Sequence, residues 1–419
     1  MRLGVIADDF TGATDIASFL VENGMRTVQV NGIPVDKLDI EAEAVVVSLK
    51  SRSCAVELAV ADSLKALAWL QAQGCQQFYF KYCSTFDSTD KGNIGPVTDA
   101  LMAELEQSFT VVCPALPING RTVYNGHLFV FDQPLNESGM RHHPVTPMLD
   151  SSVLRLMEQQ SQGKSGLVNH QIIDQGEQAV QARLAQLEST GARYAVLDSI
   201  HMAHLDTLGL AVQSMPLVTG GSGLAAGLAK AWGAKQEAAQ PATVAGQPTN
   251  QPTVILSGSC SDMTNRQVSY YQSLAPHFAL EVSQCFDNPT YAHQVADWVL
   301  EHQSGQYAPM VYATADPQSL QRIQERYGAQ ASSEAVEGFF SQLAHQLKEQ
   351  GIVNFIVAGG ETSGTVTQSL NVSGFHIGPQ IAPGVPWVKA VDGGLSLALK
   401  SGNFGDEYFF KTAQDFYHD

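Results

Sequence analysis

Residues 4–15 read GVIADDFTGATD, and their order sets the fold class. An apolar run over 3–7 ends at two adjacent carboxylates, Asp8 and Asp9, after which Thr11 and Gly12 open a helix as its expected N-cap and tight turn. A strand that turns directly into a helix is the opening of a parallel α/β unit. Further short β-rich runs follow at 44–49, 78–81, 110–113, 166–169, 194–197 and 217–219, with helical stretches between them. That alternation predicts a mostly parallel sheet with crossover helices. The stretch 237–252, EAAQPATVAGQPTNQP, has no apolar period and reads as a linker. Beyond it the alternation resumes at 253–256, 278–282, 310–313, 355–358 and 388–391, followed by a late extended run at 408–411. A helix is predicted over about 333–350, where Val336, Phe339, Phe340, Leu343 and Leu347 share a face and Gly351 supplies a stop. The expected fold class is α/β: two α/β domains with mostly parallel sheets and a cleft between them, at 1–236 and 253–419, joined by the linker at 237–252.

At 419 residues the chain exceeds what one hydrophobic core usually serves, in keeping with two domains. Apolar residues at 44% and charged residues at 15% exclude a disordered chain. A formal charge of -18 speaks against nucleic acid or an anionic membrane as partner, because both demand clustered Lys and Arg. An anionic small substrate then requires a focused pocket, in which a few cations and backbone N–H groups overcome the background field. The amino terminus enters a strand pattern with no export signal and no stretch is apolar enough to span a bilayer, so the expected location is the cytoplasm. Cys54, Cys75, Cys83, Cys113, Cys260 and Cys285 form no CxxC pair and are expected as reduced structural thiols.

In parallel α/β sheets ligands gather where strands end and helix N-termini present free N–H groups, so the loops at those points carry the chemistry. Asp8 and Asp9 suit hydroxyl binding, proton abstraction or Mg2+ coordination, with plain helix capping as the alternative. A phosphatase of the haloacid dehalogenase type also places acids after its first strand, but it needs them two positions apart as D-x-D-x-T, and here they are adjacent. After the run at 44–49 comes Arg52, whose planar fork matches a carboxylate. The run at 78–81 ends in Lys81, a point cation, and Asp87-Ser88-Thr89 follow, acceptors and hydroxyls for sugar oxygens. Cations for an acid group and acceptors for hydroxyls together describe a pocket for a sugar acid. A further polar segment, 114–130, carries Asn119, Arg121, Asn125 and His127. His142 and His143 lack the spacing and acidic neighbours of metal ligands, and no zinc site is assigned.

In the second half, Ser257-Gly258-Ser259-Cys260-Ser261 closes one strand run and Gly359-Gly360-Glu361-Thr362-Ser363-Gly364 closes another. Both offer close backbone approach, hydroxyls and N–H groups at a helix start, the requirements for holding phosphates. Neither fits the Walker pattern or G-x-G-x-x-G, and ordinary βα turns are the alternative reading. A last glycine-rich segment, Asp392-Gly393-Gly394 and then Lys400-Ser401-Gly402-Asn403-Phe404-Gly405-Asp406, is placed on the nucleoside side of the same site.

With ADDFTGA at 7–13, KYCSTFDST at 81–89, SGSCS at 257–261, AGGETSG at 358–364 and LKSGNFG at 399–405 in this order, the chain resembles the four-carbon acid sugar kinases from end to end. The resemblance implies an enzyme that passes the terminal phosphate of ATP, with Mg2+, to a hydroxyl of a small sugar acid. It implies a sugar-acid-binding domain at 1–236 and a nucleotide-binding domain at 253–419. Carried over by motif, nucleotide contacts come from Ser257, Ser259, Gly359, Gly360, Glu361, Thr362 and Gly405. Substrate contacts come from Asp8, Asp9, Arg52, Lys81 and Asp87, and by the chemistry of phosphoryl transfer Asp8 or Asp9 is the expected catalytic base. The expected acceptor is the 4-hydroxyl of a 3-oxo-tetronate, with D-threonate, L-threonate or D-erythronate as alternatives. A sugar-acid phosphatase and a non-catalytic sensor are the readings of other classes. The oligomeric state is left open, a homo-oligomer included.

Overall fold

Strand β1 (Leu3–Ala7) is buried along its whole length, as a continuous apolar run should be in a parallel strand covered on both faces. The computed structural model describes residues 2–35, 38, 40–142, 146–233 and 242–417, and the chain separates into two units, 1–242 and 243–419. His143 and the linker positions 237–241 lie outside the described residues.

In the first unit the chain continues through α1 (Phe10–Glu22), β2 (Thr27–Asn31), β3 (Ala44–Ser48), α2 (Val56–Ala72), β4 (Gln77–Lys81), α3 (Ile94–Glu104) and β5 (Thr110–Cys113). A small antiparallel sheet of β6 (Arg121–Tyr124), β7 (His127–Val130) and β8 (Gln133–Pro134) follows. Then come α4 (Val153–Gln160), β9 (Lys164–Val168), α5 (His170–Ile173), α6 (Glu177–Ser189), β10 (Ala192–Leu197), α7 (Met202–Val212), β11 (Leu217–Gly220) and α8 (Ser222–Gly233). The main sheet is parallel throughout, in the order β2-β3-β1-β4-β11-β5-β10-β9. From β1 the chain moves to one side, to β2 and β3, and from β4 it moves to the other. An open α/β sheet leaves a crevice at its strand ends where the order reverses in this way, here between β1 and β4.

Two local features differ from the sequence expectation. The cap of α1 is Asp9, not Thr11: from an extended backbone its carboxylate accepts the Gly12 N–H at 2.8 Å and the Thr11 hydroxyl at 3.1 Å. Thr11 already lies inside the helix and cannot reach ahead to the same donor. Strand β2 is an addition, hidden because TVQVN carries polar residues; Gln29 is wholly buried and its amide oxygen accepts the Thr14 hydroxyl at 2.9 Å.

Helices α7 and α8 approach to backbone contact, since a Cβ on Gly227 would fall 1.9 Å from the Leu205 carbonyl oxygen. Gly227→Ala is therefore expected to destabilise the protein by about 1–3 kcal/mol, read as a lower urea midpoint with an unchanged slope.

The second unit opens with a 3-10 turn at Val244–Gly246. It then runs β12 (Thr253–Ser257), α9 (Asp262–Tyr271), β13 (His277–Ala279), α10 (Val282–Asp287), α11 (Tyr291–Glu301), β14 (Met310–Tyr312), α12 (Pro317–Tyr327) and α13 (Ala329–Glu349). It ends with β15 (Asn354–Ala358), α14 (Gly360–Ser369), β16 (Gly374–Ala382), β17 (Val385–Ala390), β18 (Ser396–Lys400) and α15 (Phe409–Asp415). The strand order is β13-β14-β12-β15-β18-β17-β16, parallel as far as β18, with β17 antiparallel to both its neighbours.

The run at 408–411, expected to be extended, is the start of helix α15. Its aromatics favour strands in isolation, but as a helix Phe409, Phe410 and Ala413 all reach the core around Trp387, whose Nε1 donates to the Ala413 carbonyl at 2.8 Å. Helix α13 starts at Ala329, earlier than expected, and Val336 is only half-buried. The described part of the expected linker is held against the second sheet: Gly246 is buried against Gly378, and the Thr249 carbonyl accepts the Asn354 amide at 2.9 Å. All six cysteines are free thiols. Among the described residues no helix is long and apolar enough to cross a membrane.

Candidate active site

The ends of β1 and β4 are pinned together by the Asp8 N–H, which donates to the Lys81 carbonyl at 3.0 Å. Asp8 is 4% exposed, and its two carboxylate oxygens receive Nε and Nη2 of Arg52 at 2.9 and 2.8 Å. The same Nη2 lies 2.9 Å from Asp9 Oδ1. Arg52 is brought there by its backbone, because the Ser51 and Arg52 N–H groups both donate to the Asp8 carbonyl. Burial pushes the Asp8 carboxyl above its ordinary pKa in spite of Arg52. Burial also acts to raise Asp9, but Arg52, Lys81 and the Gly12 N–H together bring it below the ordinary value.

Lys81 is 2% exposed; its ammonium donates to the Tyr82 carbonyl at 2.9 Å and lies 3.9 Å from Asp15. Asp15 is itself buried, accepts the Ser222 hydroxyl, and has its carboxyl pushed up by burial. Asp87 accepts the Thr85 hydroxyl at 2.7 Å, and its own N–H points at the Cys83 sulfur at 3.1 Å. The structure thus gathers Asp8, Asp9 and Arg52 at the end of β1, with Lys81 beside them. Arg52 and Lys81, expected to face a substrate carboxylate, are engaged with carboxylates and a carbonyl of the protein. The reason is the cost of leaving buried acids unpaired at adjoining strand ends.

In the second unit β12, β15 and β18 are neighbours, so their terminal loops lie side by side. The Gly258 and Ser259 N–H groups donate to the Ala358 carbonyl at 2.9 and 3.2 Å, and the Gly359 N–H donates to the Lys400 carbonyl at 2.9 Å. These turns are too tight for side chains: a Cβ on Gly258 would meet Thr362 Oγ1 at 2.2 Å, and one on Gly402 would meet Ser259 Oγ at 2.7 Å. Helix α14 begins at Gly360 without a side-chain cap, whereas α9 is capped by Ser261. Its first-turn N–H groups therefore await an external acceptor, which suits a phosphate.

A pocket of about 260 Å³ lies over these turns. Ser259, Gly359, Gly360, Glu361 and Thr362 line its polar side, and Val282, Leu320, Ile323 and Val336 form an apolar wall. Two expected contacts stand outside this lining. Ser257 is buried with its hydroxyl 2.7 Å from that of Thr314, and Gly405 closes a turn at φ 74° against Phe409.

Residues 3–228 match the family model of a sugar-binding N-terminal domain, and residues 254–410 that of a nucleotide-binding C-terminal domain. A 3-oxo-tetronate kinase from Pectobacterium atrosepticum is 60% identical over 418 residues, 99% of each chain. The chain belongs to the four-carbon acid sugar kinases. A 3-oxo-tetronate kinase from Brucella melitensis biotype 1 is 58% identical over 417 residues, 99% of this chain and 95% of that one. A crystal structure of a Salmonella typhimurium LT2 protein superposes with a TM-score of 0.94 at 57% identity over 100% of both chains. One from Haemophilus influenzae gives 0.85 at 54% identity, covering 98% of this chain and 99% of that one. As a member of this family the protein is a kinase, a phosphotransferase acting on an alcohol group.

The kinase carries site features that sequence reasoning did not single out. Lys400 is wholly buried beside the glycine turns, donating to Thr264 Oγ1 and to the Ser401 and Gly402 carbonyls at 2.9–3.0 Å, and burial pushes its ammonium down to about 7. Lys81 and Lys400 stand alike, each a lysine closing a buried strand after three apolar residues. A basic residue at that position is the signal that could have found Lys400. The apolar wall had no comparable signal, because it is assembled from α10, α12 and α13.

Proposed function

We propose that this kinase transfers the terminal phosphate of ATP to the 4-hydroxyl of a 3-oxo-tetronate. The observation that carries the nucleotide half is the uncapped start of α14 beside the glycine turns of β12 and β15, opening on a pocket with one polar and one apolar side. The relatives' names carry the acceptor half. Gly359, Gly360, Thr362 and Ser259 cradle phosphates, and the apolar wall takes the base. Ser257 and Gly405 hold the surrounding turns in shape.

The residues present fit ATP with Mg2+: the glycine positions admit close backbone approach, and Glu361 offers a carboxylate within the turn. Mg2+ supplies charge neutralisation on the phosphate oxygens when bound. In the first unit Asp9 takes the proton of the attacking hydroxyl, Asp8 and Arg52 hold Asp9 in place, and Asp87 accepts from a sugar hydroxyl. Transfer requires the terminal phosphate and the hydroxyl to meet in line with water excluded, so positioning supplies most of the catalysis.

A coupled ADP-release assay with Mg-ATP against 3-oxo-tetronates, threonates and erythronates tests this reading. The highest kcat/KM is expected for a 3-oxo-tetronate. Phosphate release from a phosphorylated sugar acid in the absence of ATP, with no ADP formed from any acid, would overturn it in favour of a hydrolase.

A further inference from the structure

If Arg52 and Lys81 are engaged with the protein, another group has to receive the acid end of the substrate. Among the described residues, Arg52, Lys81 and Arg121 are cations coupled to the acids of the Asp8–Asp87 region of the first unit. The Nε–Nη2 edge of Arg52 is taken up by Asp8 and Asp9. Lys81 is shut beneath the surface against Asp15 and the Tyr82 carbonyl. Arg121 differs from both. It opens β6, where the backbone pairing of Leu116 with Arg121 and the left-handed Gly120 fix its origin. Its guanidinium lies over the Phe131 ring, 5.4 Å from the ring centre, and Nη1 donates to the Asn119 carbonyl. Its Nε is buried with no hydrogen-bond partner, and among the described residues no carboxylate forms an ion pair with it.

The charged and titratable groups that act on Arg121 are Cys83, Asp15 and Asp87, and Cys83 also acts on Arg52. Both guanidinium groups lie within electrostatic reach of Cys83; the Nε–Nη2 edge of Arg52 is taken by protein acids, whereas among the described residues Arg121 pairs with none. A half-buried guanidinium with an unfilled donor, held against an aromatic ring, offers a planar carboxylate a charged, forked partner. Asp87, within electrostatic reach of it, is an acceptor suited to the hydroxyls of the same molecule.

We propose that Arg121 binds the carboxylate of the sugar acid and is the residue by which the enzyme selects acids over neutral sugars. The proposal rests on the reading of the first unit as the site of the phosphate acceptor. The structural alternative is that Arg121 only holds the hairpin through Phe131, and the two differ in what they do to selectivity.

The experiment compares full-length wild type with Arg121→Gln and Arg121→Lys in the coupled ADP-release assay. The acceptors are a 3-oxo-tetronate and the four-carbon ketose in which a hydroxymethyl group replaces its carboxylate. Arg121→Gln is expected to raise KM for the acid roughly 10- to 100-fold, to leave KM for ATP unchanged, and to lower the acid-to-ketose ratio of kcat/KM by a similar factor. Arg121→Lys keeps the charge and the stem but not the fork, and is expected to restore part of that ratio. An acid-to-ketose ratio that stays at the wild-type value overturns the proposal, whether or not overall activity falls. Should Arg121→Gln not fold, the ratio in Arg121→Lys decides by the same criterion. Wild-type enzyme that releases no ADP with any sugar acid overturns the parent reading and this proposal together, an outcome distinct from a failure in the variants alone.

Discussion

Asp9→Asn is expected to lower kcat by about 10²- to 10⁴-fold while KM for ATP stays within about two-fold, measured by coupled ADP release. The substitution is informative because asparagine is as good an N-cap as aspartate. Its amide oxygen can still accept the Gly12 N–H that Asp9 now holds at 2.8 Å, and Arg52 keeps both oxygens of Asp8. The fold is thus retained and the anionic oxygen is removed. Asp9 is the better base of the pair on geometric grounds. The Asp8 side chain is 5% exposed and both its oxygens face Arg52, whereas the Asp9 side chain is 27% exposed. Asp9 Oδ1 takes the Gly12 N–H and Arg52, while Oδ2 carries the Thr11 hydroxyl and retains room for a second donor.

The lowered pKa of Asp9 is compatible with this role. A loose phosphoryl-transfer transition state leaves the hydroxyl proton in place until late, so the acceptor must chiefly be ionised and aimed. Because a depressed carboxyl is protonated only below its ordinary value of 3.8, kcat should stay level on the acid side until other groups fail. An Asp9→Asn enzyme with wild-type turnover would reduce Asp9 to a cap.

The parts of this architecture that could be read from sequence are those where one property dominates a whole segment. Strands β1, β3, β4, β12 and β15 are apolar runs buried on both faces, and their loops fall where the runs stop. Strand β2 was concealed because polar residues interrupt its apolar run, Gln29 among them accepting the Thr14 hydroxyl of α1, and β18 because it follows Gly393 and Gly394 and ends in a buried lysine. Helix α15 was misread because the strand preference of its aromatics was overruled by their fit around Trp387. The acids and glycines of the site were legible from their place at strand ends. Their partners were not: Arg52 meets Asp8 across 44 positions, and no local pattern states that its fork will be filled by the protein. The unpartnered Nε of Arg121 becomes visible only in the folded chain, once the other two cations have been accounted for.

Gly359→Ala is expected to raise KM for ATP by about 10- to 100-fold with KM for the sugar acid unchanged, measured by the same assay and by calorimetric titration with ADP. Gly359 holds φ 125° and ψ 133°, a region essentially closed to residues with a side chain, and forcing alanine into it costs on the order of 1–3 kcal/mol. The added Cβ would also lie 3.0 Å from Thr362 Oγ1 and 3.2 Å from the Ser259 nitrogen. Relief can come only by shifting the start of α14 or the Ser259 loop, and both line the pocket. Because the Gly359 N–H is bonded to the Lys400 carbonyl, either shift also pulls on the turn that Lys400 fastens from below. The N–H groups that would receive phosphate are therefore displaced as a set. Gly364→Ala supplies the contrast: nothing lies within 4 Å of its added Cβ and it sits inside α14, so it should gain up to about 1 kcal/mol of stability with ATP affinity unaltered. Equal ADP affinity in Gly359→Ala and wild type would show that the uncapped end of α14 does not carry the phosphates, and the nucleotide would have to be sought elsewhere in the second unit.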